Sequence, residues 1–303
     1  MADGTHIEWC DATFNPWVGC TKVSPACDHC YAEGWAKRTG HPELWTGERR
    51  RTTASYWQQP LKWDRQAQAA GIRKRVFCAS LADVFDNQVP TRWRDDLWFL
   101  IDRTPNLDWL LLTKRPQNIA KMLPDPRTGI KPWGDGWSNV WLGTTTENQE
   151  EADRRIPELF KTPAKRFISA EPLLSALDIR QYLGLAYSEG RPARGIIWCI
   201  CGGESGPGAR PMHPDWPRAL RDQCAAAGVP YFFKQWGEWA PIAEWSGHLD
   251  GGRFRRECAI DLAGAPVPHD INPDDIGGHR CALIGKYAAG ALLDGRKWSE
   301  FPP

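Results

Sequence analysis

Three cysteines stand close together near the start of the chain with the spacing C-x6-C-x2-C: Cys20, Cys27 and Cys30. Three thiolates on one loop can hold three irons of a 4Fe-4S cluster and leave the fourth iron open to an exogenous ligand. A cluster used only for electron transfer would need a fourth cysteine, whereas an open iron suits a cluster that activates a substrate. The spacing therefore predicts a substrate-activating iron–sulfur site.

Zinc is the alternative metal that the same cysteines could bind. Cys3His is a common closed zinc site, and His29 or His41 could supply the nitrogen. Against zinc, no second C-x2-C or H-x3-H pair accompanies the cysteines, and they lie directly after a candidate strand. With zinc, the chain would be a zinc-stabilised nucleic-acid-binding module without catalysis, and the residues alone leave both alternatives open.

The composition indicates an ordinary globular protein. The 303 residues include 38 Lys+Arg and 37 Asp+Glu, a formal net charge of +1 that by itself names no nucleic acid or membrane partner. No segment approaches the roughly 18 apolar residues of a membrane span, and no signal peptide opens the chain, so we expect a cytoplasmic protein. The 18 tryptophans are unusual, and we expect some of them to line a site.

Seven short apolar segments recur along the chain and predict strands. Each is nearly continuously hydrophobic, as expected for parallel strands covered on both faces. The candidate strands are Thr13–Gly19, Arg75–Leu81, Trp109–Thr113, Val140–Thr144, Arg166–Ala170, Gly195–Cys201 and Pro230–Lys234. Two stripes with helical period lie between them, Trp93, Leu97, Leu100, Ile101 and Trp216, Leu220, Cys224, Ala227. Such a βα repeat gives an open doubly wound sheet or a complete or partial TIM-type barrel.

The pattern changes after Trp239, where paired glycines and scattered prolines precede a short helix-like segment, Lys286–Leu293. We therefore expect a βα domain over residues 1–240 and a C-terminal extension over residues 241–303 that packs on it.

Almost every candidate strand ends in polar or reactive residues. In a parallel α/β barrel the carboxyl ends of the strands face the same mouth, so these groups would converge on one site. Helix caps and turns use the same residue types, which explains any single cluster equally well. The clusters are Cys20, 80–83, 113–116, 143–148, 169–172, 202–206 and 234–236.

A cysteine loop after the first strand of a βα repeat, ending in C-x2-C, resembles the radical S-adenosylmethionine (radical SAM) superfamily. A more specific resemblance is to a phage- and prophage-associated radical-SAM-like family, catalogued as a domain of unknown function. It extends from about Ile7 to Pro302 and rests on the segments FNPWVGCTKVSPACDHCYAE, LLLTKRPQNI, GTTTENQ, ISAEPLL, GGESGPGARPMHPDW and FFKQWGEW. The gap of six residues between the first two cysteines departs from the common C-x3-C-x2-C spacing.

The resemblance implies a partial or near-complete parallel (β/α) TIM-type barrel of about six to seven strands. It implies two cofactors, a 4Fe-4S cluster and S-adenosylmethionine (SAM), and an electron donor such as flavodoxin or ferredoxin. In the implied reaction one electron cleaves SAM to methionine and a 5′-deoxyadenosyl radical, which abstracts hydrogen from the substrate. The phage association favours a nucleobase, a nucleotide or nucleic acid as substrate, for repair or modification. The alternative substrate is a peptide or protein.

The resemblance also implies roles for individual residues, beginning with Cys20, Cys27 and Cys30 as cluster ligands. Candidate SAM contacts are His29 at the adenine, Ser80 and Asp83 at the ammonium, Lys114 or Arg115 at the carboxylate, Thr144, Thr146 and Glu147 at the ribose, and Glu171 and Glu204 at SAM or substrate. Candidate catalytic residues are Glu171, Glu204 and Lys234. Residues suited to a nucleotide substrate are Arg210 and His213 for a phosphate and Trp236 and Trp239 for stacking a base.

Overall fold

The computed structural model describes residues 5, 7–184, 195–242, 256–268 and 270–303. In chain order the helices are α1 (Tyr31–Arg38), α2 (Gln59–Ala70), α3 (Thr91–Asp102), α4 (Gln149–Phe160), α5 (Asp215–Ala227) and α6 (Lys286–Ala289). The strands are β1 (Ala12–Thr13), β2 (Trp17–Val18), β3 (Arg50–Arg51), β4 (Lys74–Cys78), β5 (Leu107–Thr113), β6 (Val140–Thr145), β7 (Lys165–Ala170), β8 (Trp198–Gly202), β9 (Tyr231–Gln235), β10 (Trp239–Pro241), β11 (Glu257–Ile260), β12 (His279–Leu283), β13 (Leu292–Leu293) and β14 (Arg296–Lys297).

A seven-stranded sheet in the order β1-β4-β5-β6-β7-β8-β9 forms the centre of the molecule. All its neighbouring strands pair in parallel, and the sheet curls into a half-barrel with β1 and β9 as its two edges. The predicted partial parallel barrel of six to seven strands is therefore confirmed.

The first predicted strand, Thr13–Gly19, is wrong in its extent. Only Ala12–Thr13 pairs with β4, and after Pro16 the chain turns away so that β2 pairs antiparallel with β3. Proline has no N–H to donate to a sheet ladder, which explains why the parallel strand ends before it.

The two predicted helical stripes lie in α3 and α5, and α5 ends as expected at Gly228, which is left-handed with φ of 63°. The crossover between β5 and β6 differs from the pattern, because 3-10 turns at Pro116–Lys121 and Pro126–Thr128 occupy it in place of an α-helix. The barrel is therefore irregular on the side of its third crossover.

The sheet separates two hydrophobic cores, because successive side chains of a strand point to opposite faces. The outer core packs the strands against the helices and includes Leu111, Leu142, Ile168, Leu97, Ile156 and Leu220. The inner core fills the concave side with large side chains, among them Trp9, Phe77, Leu110, Trp141, Phe167, Trp198 and Phe232. Aromatic rings thus make up most of the inner core.

The chain beyond β9 forms a small antiparallel sheet in the order β10-β12-β11 and a hairpin of β13 and β14. The predicted helix over Lys286–Leu293 is only partly correct, since α6 ends at Ala289 and Leu292–Leu293 is a strand. Asp294 and Gly295 form the hairpin turn with φ of 54° and 71°, and the Asp-Gly pair is the sequence signal that marks such a turn.

The outer edge of β9 is covered by residues near the end of the chain. The Phe233 N–H donates to the Trp298 carbonyl at 2.9 Å, and the Glu300 N–H donates to the Tyr231 carbonyl at 3.2 Å. None of the helices in the described part of the chain has the length and apolarity that a bilayer span requires.

We expect Gly143→Ala to lower the free energy of unfolding by about 1–3 kcal/mol, because it overpacks the inner core. A β-carbon at this position would lie 2.3 Å from the ring of Phe167. The matched control is Gly34→Ala in α1, where the nearest atom is 3.4 Å away and alanine favours the helix. Chemical denaturation compares them, and equal stability of Gly143→Ala and wild type would contradict the expectation.

Candidate active site

The carboxyl ends of the sheet strands surround a cavity of about 390 Å³. Trp9 and Phe77 of the inner core form its floor, and the segment of residues 19–30, here called the cysteine loop, forms one wall. Cys20, Cys27 and Cys30 all line the cavity, and all three are free thiols. The strand ends and the cysteines therefore converge on one site.

Eight of the predicted cofactor-binding or catalytic residues line this cavity together with the cysteines: His29, Ser80, Asp83, Lys114, Arg115, Glu171, Glu204 and Lys234. Thr144, Thr146 and Glu147 are fully buried and do not line it. Thr145 lines it instead, because it shares the inner face of β6 with Trp141, whereas its neighbours point away. The Thr144 hydroxyl donates to the Thr113 carbonyl on the adjacent strand at 2.9 Å.

Arg115, directly after β5, contacts the beginning of the cysteine loop. Its Nη2 donates to the Thr21 carbonyl at 2.7 Å, and its Nη1 donates to Cys20 Sγ at 3.5 Å. Burial and then Asp83 raise the pKa of the Cys20 thiol and Arg115 opposes both, with a net rise to about 11. The guanidinium therefore favours the thiolate, the form of cysteine that binds a metal.

Asp83 has both carboxylate oxygens occupied by protein groups. Oδ1 accepts from the Thr113 hydroxyl at 2.7 Å and from the Phe85 N–H at 2.9 Å. Oδ2 accepts from the Lys114 N–H at 3.1 Å and pairs with Arg115 at 3.0 Å. Although Asp83 lines the cavity, its carboxylate positions Arg115 and the chain that follows β5.

Glu147, at the end of β6, contacts the middle of the cysteine loop. Its Oε1 accepts the N–H of Ala26 at 3.3 Å, and its Oε2 pairs at 2.7 Å with Arg155 of α4, which is equally buried. Burial raises the pKa of Glu147, but Arg155 together with the Ser24 hydroxyl and the charge of Lys114 outweighs burial, and the net effect is a lowered pKa. Glu147 therefore supports the loop as a carboxylate without lining the cavity.

Glu204 follows β8 and connects the carboxyl end of that strand to the end of the cysteine loop. Its Oε2 lies 3.0 Å from His29 Nδ1, and its Oε1 pairs with Arg210 at 2.6 Å. Arg210 also donates to the Pro25 carbonyl at 2.8 Å and pairs with Asp28 at 3.3 Å. Arg210, which the sequence suggests for a phosphate, is therefore occupied by groups of the protein itself.

The two histidines considered for a zinc site both bond to carboxylates. His29 uses Nδ1 for Glu204, and its Cδ2–Nε2 edge packs on Gly208, where a β-carbon would lie 2.9 Å from Cδ2. His41 pairs with Glu43 at 3.0 Å and does not line the cavity. In the part of the chain that the structure describes, no three His, Cys, Asp or Glu side chains are close enough to share one metal ion.

The glycine-rich segment after β8 allows two backbones to cross. A β-carbon at Gly203 would lie 1.8 Å from the Trp236 carbonyl oxygen, and one at Gly237 would lie 2.0 Å from the Glu204 carbonyl oxygen. These glycines are thus required for contact between the segments that follow β8 and β9.

The tryptophans predicted to stack a base are buried. The indole N–H of Trp236 donates to the Leu292 carbonyl at 2.8 Å, and that of Trp239 donates to the Ala209 carbonyl at 2.6 Å. His213, suggested for a phosphate, is fully buried. The tryptophans that do line the cavity are Trp9 and Trp45.

An ion pair and an additional lysine line the cavity near β7 and β9. Lys234 pairs with Glu171 at 2.5 Å, and both side chains are largely buried. Lys286, at the start of α6, lines the cavity as well, although no sequence pattern singles it out. Burial lowers the pKa of Lys286 and Lys234 lowers it further, while Glu171 and Glu238 oppose them.

The fold and the site define a parallel α/β half-barrel with a three-cysteine loop on its strand-end cavity. The chain belongs to the family described as "Protein of unknown function (DUF5131)", whose model matches residues 4–302. No curated protein matches the sequence.

Solved structures of spore photoproduct lyase are similar to the chain at low identity. A cysteine-to-serine mutant has a TM-score of 0.40 and 13% identity, covering 64% of this chain and 56% of that chain. A double mutant with bound AdoMet and dinucleoside spore photoproduct has a TM-score of 0.41 and 12% identity, covering 77% of this chain and 65% of that chain. The chain thus spans less than two thirds of the length of either protein.

We expect Glu147→Gln to destabilise the protein by about 2 kcal/mol, because buried Arg155 loses one of its charged partners. The matched control is Glu150→Gln, an exposed acid in the first turn of α4, which should change stability little. Urea unfolding followed by circular dichroism measures both variants. Equal loss in the two variants would show that the ion pair is not the cause.

The stabilisation by Glu147 should also depend on pH. Because the folded protein holds the pKa of Glu147 below its usual value, the stabilisation is complete above the unfolded pKa and is lost as the pH falls through the folded pKa. We therefore expect the difference in unfolding free energy between wild type and Glu147→Gln to be full at neutral pH and to shrink in acid. A difference that does not change with pH would contradict this assignment.

Proposed function

We propose that the protein is a radical SAM enzyme whose cluster is held by Cys20, Cys27 and Cys30. The observation that carries the proposal is that all three free thiols line the cavity at the strand ends, where parallel α/β barrels carry their active sites. When bound there, a 4Fe-4S cluster supplies the electron that cleaves SAM to methionine and a 5′-deoxyadenosyl radical. The chain itself binds and orients the reactants and excludes water.

The residues around the cysteines fit such a cluster. Three thiols from one loop leave a fourth iron open, and the N–H donor of Arg115 beside Cys20 is the kind of group that tunes a cluster through its sulfurs. Trp9 and Phe77 close the floor of the cavity with apolar surface, which limits access of water to it.

We assign the SAM carboxylate to Lys114. Lys114 lines the cavity and has no carboxylate partner among the described residues, whereas Arg115 is paired with Asp83. A free ammonium is the better partner for a free carboxylate. His29 and Ser80 line the same cavity and remain our candidates for the other SAM contacts.

We propose a nucleobase, a nucleotide or nucleic acid as the substrate, for repair or modification. The paired Lys234 and Glu171 offer N–H donors and an acceptor side by side, which suits the polar groups of a nucleotide. Glu204 is engaged with Arg210 and His29, so we assign it to positioning the cysteine loop. The formal net charge of +1 suits a small or flipped-out substrate better than an intact duplex.

We propose that a small electron-transfer protein, such as flavodoxin or ferredoxin, reduces the cluster. We also propose that residues 1–240 form the catalytic barrel and that residues 241–303 form an extension that packs on it.

Anaerobic reconstitution with iron and sulfide, reduction with SAM present and chromatography for 5′-deoxyadenosine test the proposed function. We expect the wild type to form 5′-deoxyadenosine and Cys27→Ala to lose both iron and product. Cys258→Ala in β11, outside the cavity lining, is the matched control and should keep both. A wild-type protein that binds one zinc tightly, takes up no iron and forms no product would refute the proposal.

We expect Lys114→Gln to weaken SAM binding about tenfold, because a charge-assisted hydrogen bond to the SAM carboxylate is lost. Iron content should not change, since no hydrogen bond among the described residues joins the Lys114 ammonium to a cysteine. Lys121→Gln is the matched control, because Lys121 is exposed on the same connection. Equilibrium dialysis with SAM measures the affinities, and an unchanged affinity in Lys114→Gln would remove this lysine from the SAM site.

A further inference from the structure

Lys286 brings a positive charge into the cavity from outside the barrel strands. It is the first residue of α6, which follows the small sheet of β10, β11 and β12. Its side chain lines the same cavity as the three cysteines and is partly buried. A lysine in this position loses hydration, which costs free energy unless an opposite charge compensates it.

No carboxylate among the described residues pairs with the Lys286 ammonium. Glu171 is taken by Lys234 at 2.5 Å, and Glu238 accepts the Gly206 N–H at 3.0 Å. Lys234 lines the same cavity as Lys286, and burial and then the positive charge of Lys234 lower the pKa of Lys286. Two ammonium groups that line one cavity, only one of them paired with Glu171, are stabilised by an additional anion.

We propose that Lys286 and Lys234 bind a phosphate group of the substrate in this cavity. The inference rests on the proposed function for the substrate class, a nucleotide or nucleic acid, while the phosphate subsite follows from the residues alone. A phosphate brings negative charge and several acceptor oxygens, and each lysine offers three N–H donors. A phosphate therefore supplies the negative charge that Lys286 lacks and also accepts hydrogen bonds from Lys234.

The subsite is distinct from the position assigned to the SAM carboxylate. Lys114, the other cavity lysine without a carboxylate partner in the described structure, follows β5, beside Arg115 and the cysteine loop. Lys286 lies instead at the start of α6 and lines the cavity together with the ion pair of Lys234 on β9 and Glu171, which follows β7. Two unpaired cations at separate places in one cavity match two anions, one on SAM and one on the substrate.

Titration of the full chain with inorganic phosphate, followed by isothermal calorimetry at low ionic strength, tests the subsite. We expect the wild type to bind phosphate and Lys286→Gln to bind it at least tenfold more weakly, whereas Lys286→Arg should retain most of the affinity. Lys297→Gln is the matched control from the same part of the chain, because Lys297 pairs with Glu8 outside the cavity lining.

Absence of phosphate binding in the wild type, or equal affinity in wild type and Lys286→Gln, would overturn the subsite. Phosphate binding that is lost in Lys114→Gln but kept in Lys286→Gln would also overturn it, because the anion would then occupy the SAM side. Formation of 5′-deoxyadenosine by the wild type tests the proposed function separately. A protein that binds phosphate through Lys286 but forms no 5′-deoxyadenosine would retain the subsite and lose the radical SAM assignment.

Discussion

The cysteine loop has little regular structure of its own, so its position depends on charged side chains that reach it from the strand ends. Arg115, Glu147 and Arg210 each bond to its backbone, and each is paired with an opposite charge. A buried ion pair contributes little net stability compared with apolar packing, but loss of one partner leaves an uncompensated charge. These pairs therefore select one loop position more than they stabilise the fold.

The alternation of side chains along the strands confines the site to one end of the half-barrel. Each strand of the central sheet is covered on both faces, by helices outside and by rings such as Trp141 and Phe167 inside. Only the last residues of a strand, such as Thr145 on β6 and Lys234 on β9, can then reach the cavity. The same packing that stabilises the sheet thus keeps the cavity small and places polar groups at its rim.

Apart from the first strand, the sequence predicts the strands of the central sheet and two helices well, because continuous apolar segments and helical stripes are local signals. It does not distinguish Thr145 from Thr144 and Thr146, because a strand buried on both faces shows no alternation of polarity. Glu147 is recognisable as polar, but its pairing with Arg155 depends on how α4 packs on β6. Lys286 is harder still to predict, because only the tertiary fold brings it to the cavity and no local sequence pattern marks it.

The residues after β9 cover the edge of that strand and also bring Lys286 to the cavity. The residues that do these two things are close together in the chain. An open half-barrel leaves strand edges with unpaired N–H and C=O groups, which favour association with other chains. Trp298 and Glu300 bond to the free side of β9, and Lys286, which lines the cavity, precedes them by only 12 and 14 residues. Because Lys234 lies on that same β9, the contacts that cover the edge also hold the strand that carries this cavity lysine. The end of the chain is therefore part of the architecture of the site as well as of the sheet.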